Sequence, residues 1–375
     1  MPNRISIPTV LILGTFIATH LFLYFSYGIF STLEAEKYIL QAENVLAGTF
    51  PSASKYYFYL PIVYLIAFAK KFALGYGFVV IVQSLFSLFA LLLFYRGLKN
   101  VLDEKTALYA SLALCFFLPF MQWNFYLYSE SIFISLSMLL FYAVCRFEYQ
   151  NTKNFLLIIA LLAVLLFTRP FGALFVPPLL FYFLLSHYQN KRFKVYTVGI
   201  LTSFVLIMFL SIQAVFQGGE DMDAMKPFVE EHIVCFVPKK PEGAMLDLKY
   251  YNNGIRDILY YIIHNPLHFS KLMIERLYSF FKFTRPWYSA NHNLFLLFFI
   301  LPIYGFFIWG IIPFFKKTRN LAIYIIGLLV LYPLATTFQC DDWHSRFTFP
   351  IIPPIIVVAA FGFHRFVIKM KNLFQ

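Results

Sequence analysis

The chain has few charged residues and few cysteines, and both shortages narrow its class. Only 13% of its 375 residues are charged, whereas 61% are hydrophobic. A soluble globular domain of that composition would expose far too much apolar surface, so this class is excluded. The four cysteines follow no metal-ligand spacing, which argues against a cysteine-based zinc site. Two of them, Cys235 and Cys340, fall outside the apolar runs, and the sequence leaves a disulfide between them open.

Other familiar signals are also missing. The sequence contains no internal repeat, low-complexity tract, Asn-x-Ser/Thr sequon or nucleotide-binding loop. The pI near 9.3 would suit nucleic-acid binding, but the basic residues are divided among short loops between apolar runs. A membrane therefore explains the basic charge better than nucleic acid does.

Apolar runs of about 17–25 residues, the length that crosses ~30 Å of hydrocarbon, recur along the chain. The first follows Arg4 and has no small-residue cleavage pattern after it, so we interpret it as an uncleaved signal anchor. The pattern predicts an all-α polytopic membrane protein with about ten transmembrane helices and outer juxtamembrane helices. The predicted spans lie near 7–28, 77–97, 106–123, 129–147, 154–168, 171–187, 195–216, 293–314, 320–338 and 349–368.

Charge is unequally distributed between the two ends of these spans. With the N-terminus in the cytoplasm, the cytoplasmic segments hold 15 of the 30 basic residues but only three of the 18 acidic ones, Asp103, Glu104 and Glu148. The whole net charge of +12 then faces the cytoplasm, as the positive-inside rule requires. This predicts a multi-pass membrane protein with both termini cytoplasmic. The cytoplasmic basic residues are Arg4, Arg96, Lys99, Lys105, Arg146, Lys153, Lys191, Arg192, Lys194, Lys316, Lys317, Arg319, Arg365, Lys369 and Lys371.

Residues 59–75 test this orientation, because they are apolar but short and contain Lys70 and Lys71. Counting them as a full span would place every later basic cluster outside, so we predict an interfacial or re-entrant helix. The predicted organisation is an N-terminal transmembrane module at 1–216 with a first outer loop at 29–76, an outer loop subdomain at 217–292, and C-terminal transmembrane helices at 293–375.

A helix start is predicted inside the 217–292 loop at Asn265 and Pro266, with Asn as the N-cap and Pro at the first helical position. The residues that follow form a loose apolar face. A helix of this pattern is expected to lie in the membrane interface and to meet lipid phosphates. Its basic residues are Lys271, Arg276, Lys282 and, just beyond, Arg285.

Charged residues at the outer ends of spans and in outer loops are the candidates for chemistry, since the spans themselves carry almost none. Each has a structural alternative. Glu130 could favour the start of a helix near Ser129, and Arg169 could extend to lipid headgroups. Arg346 is harder to explain structurally, because a guanidinium at the mouth of a span pairs well with phosphate oxygens. The candidates are Glu34, Glu36, Glu130, Arg169, Asp341, Asp342, His344 and Arg346.

A metal site is the alternative for Asp341, Asp342 and His344, but spacing fixes no further ligand. We therefore predict no metal and no cofactor, and leave a divalent metal near Asp341 and Asp342 open.

Several short motifs follow one another in an order that resembles the GT-C superfamily of membrane glycosyltransferases. The similar branch is that of protein O-mannosyltransferases and the lipid A aminoarabinose transferase. The family carries an acidic residue, usually Asp followed by Glu, four positions before a Tyr; here Glu34 takes that place and Ala35 follows it. The motifs are Glu34-Ala35-Glu36-Lys37-Tyr38 with Ala42 and Gly48, Tyr59-Leu60-Pro61, Ser129-Glu130-Ser131, Thr168-Arg169-Pro170, Asn265-Pro266, Arg285-Pro286, Asn291-His292-Asn293, and Arg346-Phe347 with Pro350 and Pro353.

The resemblance implies transfer of a sugar, hexosyl or pentosyl, from a polyprenyl-phosphate donor to a hydroxyl of a lipid, glycan or protein acceptor on the periplasmic side. It implies Glu34 as the general base, with Glu36 as the less favoured catalytic carboxylate. It also implies Arg346 as the cation that binds the donor phosphate. Attack opposite the phosphate would invert the anomeric configuration. Second-rank phosphate contacts are Arg169, Lys282 and Arg285, and the other site candidates are Tyr38, Glu130, Asp341, Asp342 and His344.

Two other functions remain open at this stage. A lipid-linked glycan flippase or other transporter would need a central aqueous path with charges near the membrane midplane. A glycan polymerase or ligase would need a large glycan-binding outer loop, and the 217–292 loop is long enough for one.

Overall fold

The computed structural model describes residues 6–147, 152–186, 225–239, 245–251 and 254–375, with scattered positions between 195 and 206. These residues are mainly α-helical, and among them the only β-structure is a few isolated bridges. The predicted all-α class is therefore confirmed. In chain order the α-helices of the described residues are α1 Ile7–Tyr27, α2 Glu34–Ala47, α3 Leu60–Lys71, α4 Gly75–Val101, α5 Glu104–Phe116, α6 Leu118–Gln122, α7 Glu130–Cys145, α8 Thr152–Thr168, α9 Val176–Ser186, α10 Lys226–Val229, α11 Gly254–His264, α12 Pro266–Lys282, α13 Ala290–Lys317, α14 Arg319–Gln339 and α15 Ile352–Leu373.

Five helices of the described residues are long and apolar enough to cross a membrane, namely α1, α4, α13, α14 and α15 with the short turn before it. Three further apolar helices, at Glu130–Cys145, Lys153–Thr168 and Pro170–Leu185, are shorter. The chain is thus a multi-pass membrane protein, while the predicted count of about ten spans is not confirmed. Most of the predicted span at 195–216 lies outside the described residues.

The predicted span at 106–123 is broken in the structure. Helix α5 ends at Phe116, α6 begins at Leu118, and the two axes differ by 66°. Pro119 explains the break, because its ring would clash with the carbonyl four residues earlier and it donates no amide hydrogen bond. Counted as one bent span, the pair brings the number of spans in the described residues to six.

Two shorter segments follow α1 before the next long helix. Helix α2 is amphipathic, and a 3₁₀ turn at Ser54–Tyr59 leads into α3. Helix α3 has 12 residues, which span roughly 18 Å and cannot cross ~30 Å of hydrocarbon. This length agrees with the prediction that residues 59–75 do not form a full span.

The chain divides into two compact units, and the first comprises residues 1–176, 301–325 and 352–375. In it α4 packs along α7 so closely that a Cβ on Gly97 would lie 3.0 Å from the Cα of Tyr142. Helix α15 packs against α5, and His364 contacts the Asp103 carboxylate at 2.9 Å. In this unit the C-terminal helix α15 therefore packs against a helix of the N-terminal half of the chain.

The second unit comprises residues 177–300 and 326–351. The part of this unit between the apolar helices contains a small apolar core of Met225, Phe228, Tyr261 and Leu272. Helix α12 supplies one side of this core and keeps Leu267 and Ile274 exposed on the other, at 87% and 67%. The predicted helix at Asn265–Pro266 is present with the expected start, and its exposed apolar face fits an interfacial position.

Two details of α12 differ from the sequence expectation. Asn265 stands at the N-cap position, but its side chain does not cap the helix. Its amide instead accepts from the Asp247 amide nitrogen at 3.0 Å and donates to the Asp247 carbonyl at 2.8 Å. The expectation of an Asn side-chain cap was wrong because this long-range pairing uses the same atoms.

Arg276 also differs, since it was expected to face lipid phosphates. Its side chain is fully buried and donates to the carbonyl oxygens of His232, Thr337 and Pro227 at 2.8, 2.9 and 2.6 Å. Burial lowers the pKa of Arg276 to about 10, although Tyr261 opposes that shift. Arg276 therefore joins three segments of the second unit and is not a lipid contact.

Cys235 and Cys340 form a disulfide in the second unit, with a Cα–Cα distance of 5.2 Å. The bond closes a loop of 105 residues in sequence. It lies directly beside Asp341, whose amide donates to the carbonyl of Ile233 and whose carbonyl accepts from Cys235. The pairing that the sequence left open is therefore present.

Candidate functional site

In the first unit, the predicted base Glu34 is the first residue of α2. Its carboxylate is partly buried, and Oε1 accepts a 2.9 Å hydrogen bond from the Tyr38 hydroxyl one turn later. The amide of Glu34 donates to the Tyr128 hydroxyl at 3.2 Å, and that hydroxyl donates to the carbonyl of Thr32. Two tyrosines thus fix the start of α2 and the orientation of the carboxylate.

Tyr38 is almost fully buried, with 1% of its surface exposed. Burial raises its pKa well above the ordinary value, and the negative charge of Glu34 raises it further. Its hydroxyl therefore stays protonated and can donate to Glu34 at neutral pH. Glu130 and Arg169 also influence this phenol electrostatically, which places them near it.

Glu130 and Arg169 form a buried ion pair in the same unit, with side-chain exposures of 2% and 7%. Glu130 is the first residue of α7, where the helix dipole favours a carboxylate. Arg169 lies at the break between α8 and a 3₁₀ turn at Pro170–Phe175. The guanidinium is thus held inside the protein beside Tyr38. We name Glu34, Tyr38, Tyr128, Glu130 and Arg169 the Glu34 cluster.

Glu36 does not share this position. It lies two residues after Glu34 on α2, on a different side of the helix, and it is exposed. Of the two predicted carboxylates, Glu34 is therefore the one that the fold orients.

In the second unit, Asp341 is fully buried and ion-paired with Arg285, which is also buried. Ser279 donates to Oδ2 of Asp341 at 3.1 Å, and the Asp342 amide donates to Oδ1 at 2.8 Å. Arg285 also donates to the Ser345 hydroxyl at 2.7 Å. Burial raises the pKa of Asp341, and Arg285 opposes that shift. Asp341 and Arg285 are consequently engaged in holding this segment together.

The neighbouring Asp342 and Arg346 are more accessible. Nε of Arg346 lies 3.1 Å from Oδ1 of Asp342, with side-chain exposures of 18% and 15%. Lys282 is exposed at the end of α12, with its ammonium group 5.4 Å from the Tyr278 ring centre. Among the predicted phosphate-binding cations of this unit, Arg346 and Lys282 can thus be reached from outside, whereas Arg285 is buried.

His344 lies between these residues, exposed on one side, with Nδ1 3.2 Å from the hydroxyl of Tyr288. Burial lowers the pKa of His344, although Asp342 raises it. Among the described residues, no three His, Cys, Asp or Glu side chains lie close enough together to hold a metal ion. Asp341 in particular directs its carboxylate to Arg285 and Ser279.

Residues 55–212 match the sequence model of the family described as dolichyl-phosphate-mannose-protein mannosyltransferase. The resemblance to GT-C membrane glycosyltransferases is thereby confirmed. Over this stretch the chain is similar to membrane glycosyltransferases. The family implies a polyprenyl-phosphate-linked sugar donor. No curated protein matches the chain.

The matched part of the chain contains Tyr128, Glu130 and Arg169, whereas Glu34 and Arg346 lie outside it. In the structure, Glu34 and Tyr38 join Glu130 and Arg169 in the first unit, and Asp341, Asp342, His344 and Arg346 with Lys282 and Arg285 belong to the second. The catalytic and binding roles of these residues stay predictions.

The sequence did not point to three hydroxyl groups that hold the candidate residues in place. The hydroxyl of Tyr128 bridges Thr32 and Glu34, and those of Ser279 and Ser345 hold Asp341 and Arg285. Tyr128 stands directly before the Ser129-Glu130-Ser131 motif, a signal that could have pointed to it. Ser279 carried no signal, because its partner is 62 positions away in sequence.

Proposed function

We propose that the protein transfers a sugar, hexosyl or pentosyl, from a polyprenyl-phosphate donor to an acceptor hydroxyl on the periplasmic side, with inversion at the anomeric carbon. The observation that carries the proposal is the orientation of Glu34. Its carboxylate is partly buried and held by the Tyr38 hydroxyl, and the same unit contains the buried Glu130–Arg169 pair, which acts electrostatically on Tyr38. Support for the reaction class comes from the family match.

Glu34 acts as the general base. The acceptor hydroxyl loses its proton as it attacks the anomeric carbon, and a positioned carboxylate can accept that proton. The bond to the polyprenyl phosphate breaks on the opposite face of the sugar, so the configuration inverts. The phosphate departs as an anion and needs no proton from the protein.

Arg346 stabilises the departing phosphate. A planar guanidinium can donate two parallel hydrogen bonds to phosphate oxygens, and its partial exposure leaves it within reach of a ligand. Lys282 is an accessible second contact, whereas Arg169 and Arg285 are held by Glu130 and Asp341.

The periplasmic side is supported by the charge distribution and by the Cys235–Cys340 disulfide. Structural disulfides persist in oxidising compartments and are rare in the bacterial cytoplasm. The positive-inside rule places both cysteines in predicted outer segments. The disulfide and the charge distribution therefore both support an inner-membrane protein with cytoplasmic termini.

The test is transfer of radiolabelled mannose from polyprenyl-phosphate-mannose to a membrane extract by the purified full chain. Mannose is the first sugar to try because the matched family is described by it. We expect Glu34→Gln and Arg346→Ala to lose at least about a hundredfold in rate, the range typical of general-base and anion-stabilising groups. Glu43→Gln on the same helix and Arg256→Ala in the outer loop are the matched controls and should keep wild-type rates.

Each other outcome has a definite meaning. Full activity in Glu34→Gln with loss in Glu36→Gln would move the base to Glu36. Absence of transfer by the wild type from mannose, other hexose and pentose donors, together with movement of a labelled lipid-linked glycan across vesicle membranes, would favour the flippase. Transfer of whole oligosaccharides would favour the polymerase or ligase.

A further inference from the structure

Two exposed tryptophans lie side by side on the second unit. Trp287 and Trp343 expose 43% and 47% of their surface, and their ring centres are 5.8 Å apart with the planes 47° from parallel. They are 56 positions apart in sequence, so the fold and not local sequence brings them together. Exposed, adjacent indole rings of this kind form a broad apolar surface.

Hydrogen bonds to the rest of the second unit hold Trp343 in place. The indole nitrogen of Trp343 donates to the carbonyl of Cys235 at 3.0 Å, and Cys235 is bonded to Cys340. The hydroxyl of Tyr288 donates to the carbonyl of Trp343 at 3.0 Å. These bonds fix the Trp343 ring and leave part of its face exposed, so little conformational entropy is lost when a ligand lies on it.

Polar side chains border the aromatic surface. His344 follows Trp343 directly, and the ring of Tyr288 contacts that of His292 with centres 4.6 Å apart and planes 36° from parallel. The accessible Asp342–Arg346 pair belongs to the same loop. A ligand seated on the indoles would therefore find apolar rings beneath it and hydrogen-bonding groups at its edge.

We propose that Trp287 and Trp343 form a stacking platform for the pyranose ring of a sugar. The C–H groups on one face of a pyranose are apolar and pack on aromatic rings, whereas its hydroxyls need polar partners at the rim, a combination that this surface provides. The proposal rests on the proposed function, because a glycosyltransferase binds a sugar in its donor and often in its acceptor. The shared chemistry is the pyranose ring, and the experiment separates the two sources.

Membrane anchoring is the competing explanation, because tryptophan is common at membrane interfaces. Two features favour the sugar. The Trp343 indole nitrogen, which an interfacial tryptophan would direct to lipid headgroups, is bonded to the protein. The ring pair is also attached to a disulfide-closed loop that carries charged residues.

The first measurement is intrinsic fluorescence of the purified full chain titrated with methyl α-mannopyranoside and with mannobiose, in a detergent without a sugar headgroup. The chain has four tryptophans, which makes the signal assignable. We expect a saturable change in the wild type. Trp287→Ala should weaken saccharide binding about fivefold, a change in line with the energy of a single aromatic stacking contact. Trp343→Phe keeps an aromatic ring and should retain most of the wild-type affinity. Trp309→Ala, which removes a comparably exposed tryptophan of the first unit, is the matched control and should bind like the wild type.

The source of the sugar is assigned by kinetics. If the platform holds the donor sugar, Trp287→Ala raises KM for polyprenyl-phosphate-mannose; if it holds an acceptor sugar, the variant raises KM for the acceptor extract alone. Saccharide binding is measured without turnover, so a failed base assignment leaves the binding result interpretable. A wild type without saturable binding, or equal binding by Trp287→Ala, overturns the platform. Quenching of the Trp287 and Trp343 fluorescence by brominated lipids in reconstituted vesicles, together with unchanged saccharide binding by Trp287→Ala, would identify a membrane anchor instead.

Discussion

The Tyr38 hydroxyl donates a 2.9 Å hydrogen bond to Oε1 of Glu34, one turn earlier on α2. Because burial and the negative charge of Glu34 both raise the pKa of Tyr38, the direction of this bond does not change near neutral pH. The carboxylate is held in one orientation by a donor that is itself fixed in the protein interior. The geometry suits a base that must face one acceptor hydroxyl.

Tyr38→Phe should therefore impair the reaction without unfolding the protein. The variant keeps the ring contact with Tyr59, whose centre lies 5.2 Å from that of Tyr38, and removes only the hydroxyl. We expect kcat to fall about tenfold with KM for the donor within about twofold, since positioning and not ground-state binding is lost. Steady-state transfer from polyprenyl-phosphate-mannose measures both constants. Tyr57→Phe, at a half-exposed tyrosine nearby, is the control, and an unchanged kcat in Tyr38→Phe would show that the bond is not needed.

The buried Glu130–Arg169 pair should be strongly coupled. Glu130→Gln leaves the Arg169 guanidinium buried without a carboxylate, and removal of one partner of such a pair typically costs about 3–5 kcal/mol. The double variant Glu130→Gln with Arg169→Gln removes both charges and should recover part of that loss. Thermal unfolding of the wild type, Glu130→Gln, Arg169→Gln and the double variant in detergent gives the coupling. Additive losses in the double variant would contradict a direct pair.

The positions of the charged clusters could be predicted from the sequence, whereas their pairings could not. Apolar run length and loop charge located the helices and the candidate residues, because both depend on local composition. The Glu130–Arg169 and Arg285–Asp341 pairs join residues 39 and 56 positions apart, and no local pattern encodes such distances. The sequence therefore predicted which residues carry charge at the site and not which carboxylate neutralises which cation.

The environment of Arg276 was also not predictable from local sequence. Its place on an amphipathic helix predicted a lipid contact, because such helices direct basic residues to headgroups. The carbonyl groups that bind it come from Pro227, His232 and Thr337, which are remote in sequence. Periodicity indicates which residues share a face, but tertiary structure decides whether that face meets lipid or protein.

Loss of the Cys235–Cys340 disulfide should destabilise the second unit. The bond closes a loop of 105 residues, and for loops of that length removal typically costs about 2–5 kcal/mol. Cys235→Ser with Cys340→Ser should lower the unfolding temperature and release Trp343, since the Cys235 carbonyl that accepts from its indole is no longer fixed. Thermal unfolding with and without reductant measures the effect. Cys115→Ser, at a free cysteine, is the control, and wild type insensitive to reductant after full thiol titration would refute the prediction.

Asp103 should make stability depend on pH in the acid range. Burial raises its pKa, but hydrogen bonds from Thr106 and the nearby His364 outweigh that effect and hold the pKa below its ordinary value of 3.8. A carboxyl group with a lowered folded-state pKa stabilises the fold above its unfolded pKa, and this contribution is lost as pH falls through the folded pKa. The effect therefore belongs to the range below about pH 4.

Two substitutions separate the charge of Asp103 from its capping role. Its Oδ1 accepts from the Thr106 amide at 2.8 Å and so caps α5, a role that asparagine also fills. Asp103→Asn should lose the pairing with His364 and the 2.7 Å hydrogen bond that Oδ2 accepts from the Thr106 hydroxyl, together roughly 1 kcal/mol for these partly exposed groups, and the gap to the wild type should narrow as pH falls below 4. Asp103→Ala should lose about 1 kcal/mol more at every pH, because the cap is also removed. Chemical unfolding in detergent between pH 7 and pH 3 checks both, and a gap between Asp103→Asn and wild type that widens on acidification would reverse the sign that the structure requires.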